Sequence, residues 1–244
     1  MKYNQKYLST CLLAIATLLG TSQGFAAAVA PSLGTAQSFA VLGSSTVTNT
    51  GATVVTGDLG VSPGTAITGF PPGIVTGGAM HAGDAVANQA HNDAGTAYNA
   101  LVSQACDFNY APIQEIGGLT LTPGVHCFPS SAGVTGTLTL DAQGNPNAVF
   151  IFKTGSTLIT ASNASVVVIN GGQDKLVFWA VGSSATLGTG TTLKGNIVAV
   201  ASITLTTSSK VSGSALALNG AVTMDTNNVT VAPATTSTPP PTCG

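Results

Sequence analysis

The chain contains no arginine, and all six of its basic residues are lysines. Charged residues make up only 6% of its 244 positions, against an ordinary share of about 25%. A nucleic-acid surface needs clustered cations that displace counterions from phosphates, so that class of function is excluded. Aromatic residues are equally scarce at 5%. Beyond the first 28 residues no apolar run approaches the roughly 20 residues needed to cross a bilayer, so no membrane span is expected. The four cysteines form no CxxC pair and have no histidine at ligand spacing, so neither a metal site nor a cofactor is expected. Catalytic parts are missing as well. Asp58, Asp84, Asp93, Asp107, Glu115, Asp141, Asp174 and Asp225 are scattered, several beside Gly or Asn in turns, and no pair stands at catalytic spacing. His81, His91 and His126 lack any triad context, and the first two are expected on a helix surface. The protein is therefore read as a non-enzyme, and a polysaccharide-acting enzyme on a solenoid scaffold is disfavoured.

What is present is 44% apolar residues, 30 glycines and 35 threonines, the composition of a β-rich domain with tight turns and a real core. Residues 1–28 read as a secretory signal: Lys2 and Lys6 supply the basic end, Cys11 to Gly20 the apolar stretch, and Ala26-Ala27-Ala28 the cleavage site. The mature chain is thus expected outside the cell. Losing two lysines takes its formal charge from −2 to −4, too little and too dispersed to steer a partner. Export makes Cys106 and Cys127 the natural disulfide and leaves Cys243 over. Residues 233–244 (PATTSTPPPTCG) read as an extended Thr/Pro-rich tail, leaving 29–232 as the folded domain.

Between 79 and 105 the sequence turns alanine-rich, and Val86, Ala90, Ala97 and Leu101 mark one narrow apolar stripe of a helix. Gly83 and Gly95 weaken it by about 1 kcal/mol each, so it must pack on something larger. Elsewhere short β-segments repeat. Leu158-Ile159-Thr160, Thr186-Leu187-Gly188, Thr204-Leu205-Thr206 and Thr223-Met224-Asp225 superpose, each after an apolar strand, and Leu193, Val211 and Val229 form a later apolar column. Three strand-like segments in about 20 residues indicate a β-solenoid, whose coils bury a core only by stacking. A β-sandwich is the alternative, and the interior helix and regular repeat argue against it.

Each triplet places a large apolar residue inward and two small ones outward by the two-residue period of a strand. Thr46-Val47-Thr48, Thr120-Leu121-Thr122 and Thr137-Leu138-Thr139 share the form and are assigned to the same face. The outward set is Thr46, Thr48, Thr120, Thr122, Thr137, Thr139, Thr160, Thr186, Thr204, Thr206 and Thr223. Stacked at about 4.8 Å, such residues form a flat lattice of hydroxyls and methyls, held stiff by β-branching. A nearly uncharged lattice of this kind suits an ordered water surface, and ice is the ligand inferred.

At this point the chain resembles the secreted microbial ice-binding proteins of the discontinuous β-solenoid type, often described as a domain of unknown function. The resemblance covers about 33–232 and rests on Leu33-Gly34-Thr35-Ala36, Phe39-Ala40-Val41-Leu42, the stretch from Thr56 to Gly64, Thr65 to Phe70, Met80-His81-Ala82, Leu121 to Val125, and Gly195-Asn196-Ile197. It implies a mainly β fold, a triangular right-handed β-solenoid with one long α-helix packed alongside, that adsorbs to ice and depresses its growth and recrystallisation. A monomer is expected, with the ice crystal surface as its partner. Some members carry a Thr-Ala/Gly-x-Thr/Asn pattern, seen here as Thr50-Gly51-Ala52-Thr53, Thr65-Ala66-Ile67-Thr68, Thr154-Gly155-Ser156-Thr157, Thr160-Ala161-Ser162-Asn163 and Thr189-Gly190-Thr191-Thr192. The leucine-flanking columns are preferred because they stack in register. The other function considered is a secreted structural or adhesive surface module joined to its host through the tail.

Overall fold

The structure, a computed structural model, describes residues 27–232. The expected tail at 233–244 with Cys243, and all of the expected leader but Ala27 and Ala28, lie outside the described residues. Eight coils, each of three short strands, run 39–56, 58–76, 108–121, 124–141, 150–169, 177–194, 196–212 and 215–230, and are called coils 1 to 8. Corresponding strands pair in parallel to make one nine-stranded and two eight-stranded sheets. The ninth strand, Met80–Ala82, follows coil 2 and extends the first sheet. In each coil the chain visits sheet 1, then sheet 2, then sheet 3.

Alternation of residue size produces this arrangement. In Thr137–Asp141, Leu138 and Leu140 are fully buried while Thr137 and Thr139 face out. Parallel in-register pairing then stacks like on like inside the solenoid. Phe108, His126, Phe152 and Trp179 occupy one column of sheet 1, with successive ring centroids 4.6, 5.1 and 4.1 Å apart. Ile197, Ala215, Val41 and Leu59 continue it. His126 is tolerated there because both ring nitrogens are satisfied: Nδ1 lies 2.9 Å from the Tyr110 hydroxyl and Nε2 3.0 Å from the Thr122 carbonyl. The apolar columns at Leu187, Leu205 and Met224 and at Leu193, Val211 and Val229 form as the repeat predicts.

Coil order along the axis departs from chain order. The sequence of strands in sheet 1 places the coils as 2, 1, 8, 7, 6, 5, 4, 3. After coil 2 the chain returns along sheet 1 through the helix Ala85–Val102 and restarts at the far end. Ala87, Ala90, Ala94, Ala97 and Leu101 are buried against Leu42, Ile151, Phe178, Val198 and Leu216 on the outer side of that sheet. The stripe therefore differs from the sequence expectation: Val86 is 47% exposed, and Ala87 and Ala94 take part instead, because small side chains let the helix lie close to the strands. The helix also begins later than residue 79. Met80–Ala82 pairs with Leu59 to Val61, and Gly83 makes the turn at φ +67°, where an added Cβ would stand 2.6 Å from Thr65. Asp84 then caps the helix by accepting from the Ala87 amide at 2.8 Å. His81 consequently sits on a strand and not on the helix surface, 2.8 Å from Asp84. The Cys106–Cys127 disulfide forms as expected, with Cα atoms 5.8 Å apart, and ties the segment after the helix to coil 4.

Candidate functional site

The helix covers sheet 1, which leaves sheets 2 and 3 as open faces. On sheet 2 the strand register aligns Thr68, Thr48, Thr223, Thr204 and Thr186 on five consecutive coils. Ile159, Gly133 and Glu115 continue this column on the last three. At about 4.8 Å per rung the five threonines span about 19 Å. Their inward neighbours Val47, Val222, Ile203, Leu205, Ala185 and Leu187 are buried, so the backbone beneath the column is fixed by packing. The Thr48 hydroxyl donates to that of Thr223 at 3.3 Å. Thr46, Ser202 and Ser184 lie two residues ahead of the column, and Thr157 follows on coil 5, its hydroxyl donating to Ser131 at 2.9 Å. Thr50, Asp225 and Thr206 lie two residues beyond it.

The only acidic residues on sheet 2 strands among the described residues are Asp225 and Glu115, and both have their oxygens occupied by protein donors. Asp225 accepts from the Thr207 hydroxyl at 2.6 Å and the Thr226 hydroxyl at 3.0 Å. These bonds, Thr207 first and then Thr226, hold its carboxyl below the ordinary carboxylate range. Glu115 accepts from the amides of Gly117 and Thr135 at 2.8 and 2.7 Å and from the Thr135 hydroxyl at 2.9 Å. Sheet 3 differs in charge. Its hydroxyl-bearing column of Thr120, Thr139, Ser212, Thr230, Thr56 and Thr76 is interrupted by Val167 and Lys194. Lys194 is paired with Asp174 at 2.8 Å, and Lys210 stands exposed on the neighbouring column.

The threonines grouped together by sequence thus divide between two faces. Thr46, Thr48, Thr186, Thr204 and Thr223 share sheet 2, with Thr206 just past its strand. Thr120, Thr137 and Thr139 face out from sheet 3, and Thr122 lies in the short link between the Thr120–Leu121 and Gly124–Phe128 strands. They belong to another face because their triplets occur third in the coil and not second. Thr160 is a correction of another kind: it points inward and is 3% exposed. Ile159 pairs with Thr186 and not with Leu187, a shift of one residue that exchanges the two sides of the strand. The inward Thr160 hydroxyl is satisfied by Thr191 at 2.8 Å and by the Gly188 amide at 2.9 Å. Thr68, which the leucine-flanking columns do not include, joins Thr48 at a 20-residue step that carries the repeat. The four-residue pattern falls mostly at corners, where Thr53 and Thr154 are buried.

Among the described residues no three His, Cys, Asp or Glu side chains gather as a metal site, and no helix is long and apolar enough to cross a membrane. Comparison with known proteins gives consistent results. Residues 41–230 match the family described as ice-binding-like. An ice-binding protein of Nostoc sp. (strain HG1) is 54% identical over 94% of this chain and 84% of its own length. Ice-binding protein 1 of Shewanella frigidimarina is 36% identical over 79% of this chain, a match that spans only 25% of that longer protein. Among solved structures, the ice-binding protein of the Antarctic ascomycete Antarctomyces psychrotrophicus superposes with a TM-score of 0.81 at 41% identity, over 84% of this chain and all of the other.

Proposed function

Because the chain belongs to the ice-binding-like family, we propose that it adsorbs to ice through sheet 2 and thereby slows ice growth and recrystallisation. The observation that supports this choice of face is the unbroken column of Thr68, Thr48, Thr223, Thr204 and Thr186. Each threonine offers a hydroxyl that can join a water lattice and a methyl that sheds water on leaving solution. One such contact is weak, about 1 kcal/mol for a hydrogen bond. Five rigid contacts formed together sum without paying again for ordering, because β-branching and the packed strands have already fixed the side chains. Charges hold hydration shells that do not match a lattice, which favours sheet 2 over sheet 3 with its Lys194 and Lys210. The contact requires neither cofactor nor catalysis, and the protein acts as a secreted monomer once residues 1–28 are removed.

Tethered adhesion is the second reading, and one feature favours it. Val231, whose amide donates to the Thr56 carbonyl at 3.0 Å, and Ala232 lie beside Gly34 and Thr35, on the ridge where sheet 3 passes into sheet 1. In a three-sided solenoid that ridge lies opposite sheet 2, so chain attached there does not stand between the face and ice. The test of the main reading is a single ice crystal grown in purified mature protein. Faceting of the crystal and arrest of its growth below the melting point are expected. Unmodified rounded growth at high protein concentration would refute it.

A further inference from the structure

Asp225 stands where a threonine would extend the outer row of sheet 2. It pairs with Thr50 of coil 1 and lies two residues past Thr223. A bare carboxylate is a poor group on a lattice-matching face, since it organises water around itself. Here its oxygens already bond protein: Oδ2 accepts from the Thr207 hydroxyl of coil 7's turn at 2.6 Å, and Oδ1 from the Thr226 hydroxyl at 3.0 Å. The backbone of Asp225 is held as well. Its amide donates to Asn227 Oδ1 at 2.6 Å, and its carbonyl accepts from the Ser208 amide at 3.1 Å. Buried Asn227 donates in turn to the Thr206 carbonyl at 2.8 Å, linking the last two coils.

A threonine hydroxyl has one proton and two lone pairs, so a hydroxyl that commits its proton to a carboxylate can offer only acceptors to what lies above it. Resting on the assignment of ice contact to sheet 2, we propose that Asp225 is a positioning residue of that face, drawing in the Thr207 and Thr226 protons and fixing both hydroxyls as acceptors toward the first ice layer. Both threonines are exposed, so their lone pairs are available. The bond is charge-assisted and stronger than a threonine's bond to water, which keeps the orientation from averaging. The same device recurs at the other end of the sheet, where Glu115 takes the Thr135 proton at 2.9 Å. Thr207, Thr226 and Thr50 are the groups that favour the ionised form of Asp225, and no charged side chain is among them.

The test is a cycle at pH 7 of wild type, D225N, the T207V/T226V double variant and the three changes combined, each assayed for thermal hysteresis and for the rate of adsorption to ice. D225N should weaken adsorption about fivefold, one hydrogen bond's worth, and T207V/T226V, which removes both hydroxyls, about 25-fold, and the combined variant should be no worse than T207V/T226V alone. Wild-type activity for D225N, or losses that add in full, would overturn the proposal. A pH profile supplies a readout that a structural role would not move. Wild-type activity should persist as pH falls through the ordinary carboxylate range and decline below it, while D225N stays level over the same interval. Parallel profiles, with both proteins folded by circular dichroism, would overturn the proposal, and if acid unfolds either protein the pH 7 cycle decides alone. Thr204→Tyr belongs in the same series: if it keeps full activity, the choice of sheet 2 is wrong, whereas an inactive T204Y with a null Asp225 cycle removes only the role of Asp225.

Discussion

Thr204→Tyr on sheet 2 set against Thr139→Tyr on sheet 3 separates the two open faces. Thr204 lies between Thr223 and Thr186, with inward Ile203 and Leu205 on either side of it in its strand. A tyrosine there rises above the plane of hydroxyls and holds the neighbouring rungs off a flat crystal. With rungs about 4.8 Å apart, the contacts at Thr223, Thr204 and Thr186 are lost together. At about 1 kcal/mol per hydrogen bond the loss is about 3 kcal/mol, or roughly a hundredfold in adsorption. Folding should change by no more than about 0.5 kcal/mol, because the side chain points outward and bonds no other side chain. Thr139 offers a matched site, since it too faces out between stacked threonine and valine. Thermal hysteresis and binding of labelled protein to a polycrystalline ice surface should collapse for T204Y and persist for T139Y. Full activity of T204Y with a native circular dichroism spectrum would refute the assignment, and loss in T139Y alone would transfer it to sheet 3.

Three further outcomes are expected. Replacing Cys106 and Cys127 together with alanine should lower stability by about 2–4 kcal/mol without loss of ice binding in the cold, measured by chemical denaturation and hysteresis. Burial holds the pKa of His126 down despite opposing contributions from Thr122 and Asp107, so the unfolded chain takes up the proton first; the melting temperature should be level above about pH 6.5 and fall below it, and H126F should flatten that part of the curve. A globular domain fused after Gly244 should leave ice activity intact, because Ala232 stands on the ridge away from sheet 2; strong loss on fusion would contradict that placement.

The solenoid was legible because inward residues recur at a nearly constant step, 18 and then 19 residues for Leu187, Leu205 and Met224. Coil 5 escaped because Leu158-Ile159-Thr160 reads equally well in either of two registers. Leucine fits the inward slot that Ala185 fills in the next coil, and Thr191 supplies the hydrogen bond that an inward Thr160 needs. The helix stripe slipped in the same way, from Ala87 to Val86, since hydrophobicity favours valine while close packing favours alanine. Two features had no sequence signal. Thr-Leu-Thr looks the same on sheet 2 and sheet 3, and nothing local announces that coil 1 stacks on coil 8.

That last arrangement determines how the face is built. Coils 1 and 2 supply Thr48 and Thr68, and coils 6 to 8 supply Thr186, Thr204 and Thr223, so the seam between the chain's first and last coils runs through the column. Residues about 175 apart must meet in strict register, and a slip of one would turn Val47 outward in place of Thr48. The seam is accordingly paired on all three sheets, Val41 with Ala215, Thr48 with Thr223 and Val55 with Val229, and is bonded by side chains and at the corners as well. The Ser44 amide donates to the Gly220 carbonyl at 2.9 Å, Thr48 to Thr223 at 3.3 Å, and the Asn227 amide to the Thr53 hydroxyl at 2.9 Å. Loop closure over this length costs little more than over a short loop, since the penalty grows only with the logarithm of length. The harder requirement is direction: the chain must leave coil 2 and restart at the far end so that coil 8 arrives beside coil 1. An 18-residue helix, about 27 Å long, performs that return along sheet 1, and the Cys106–Cys127 bond fixes its exit. The helix therefore acts on the proposed ice face without touching it, since neither 39–82 nor 108–230 alone holds more than three of the five threonine rungs.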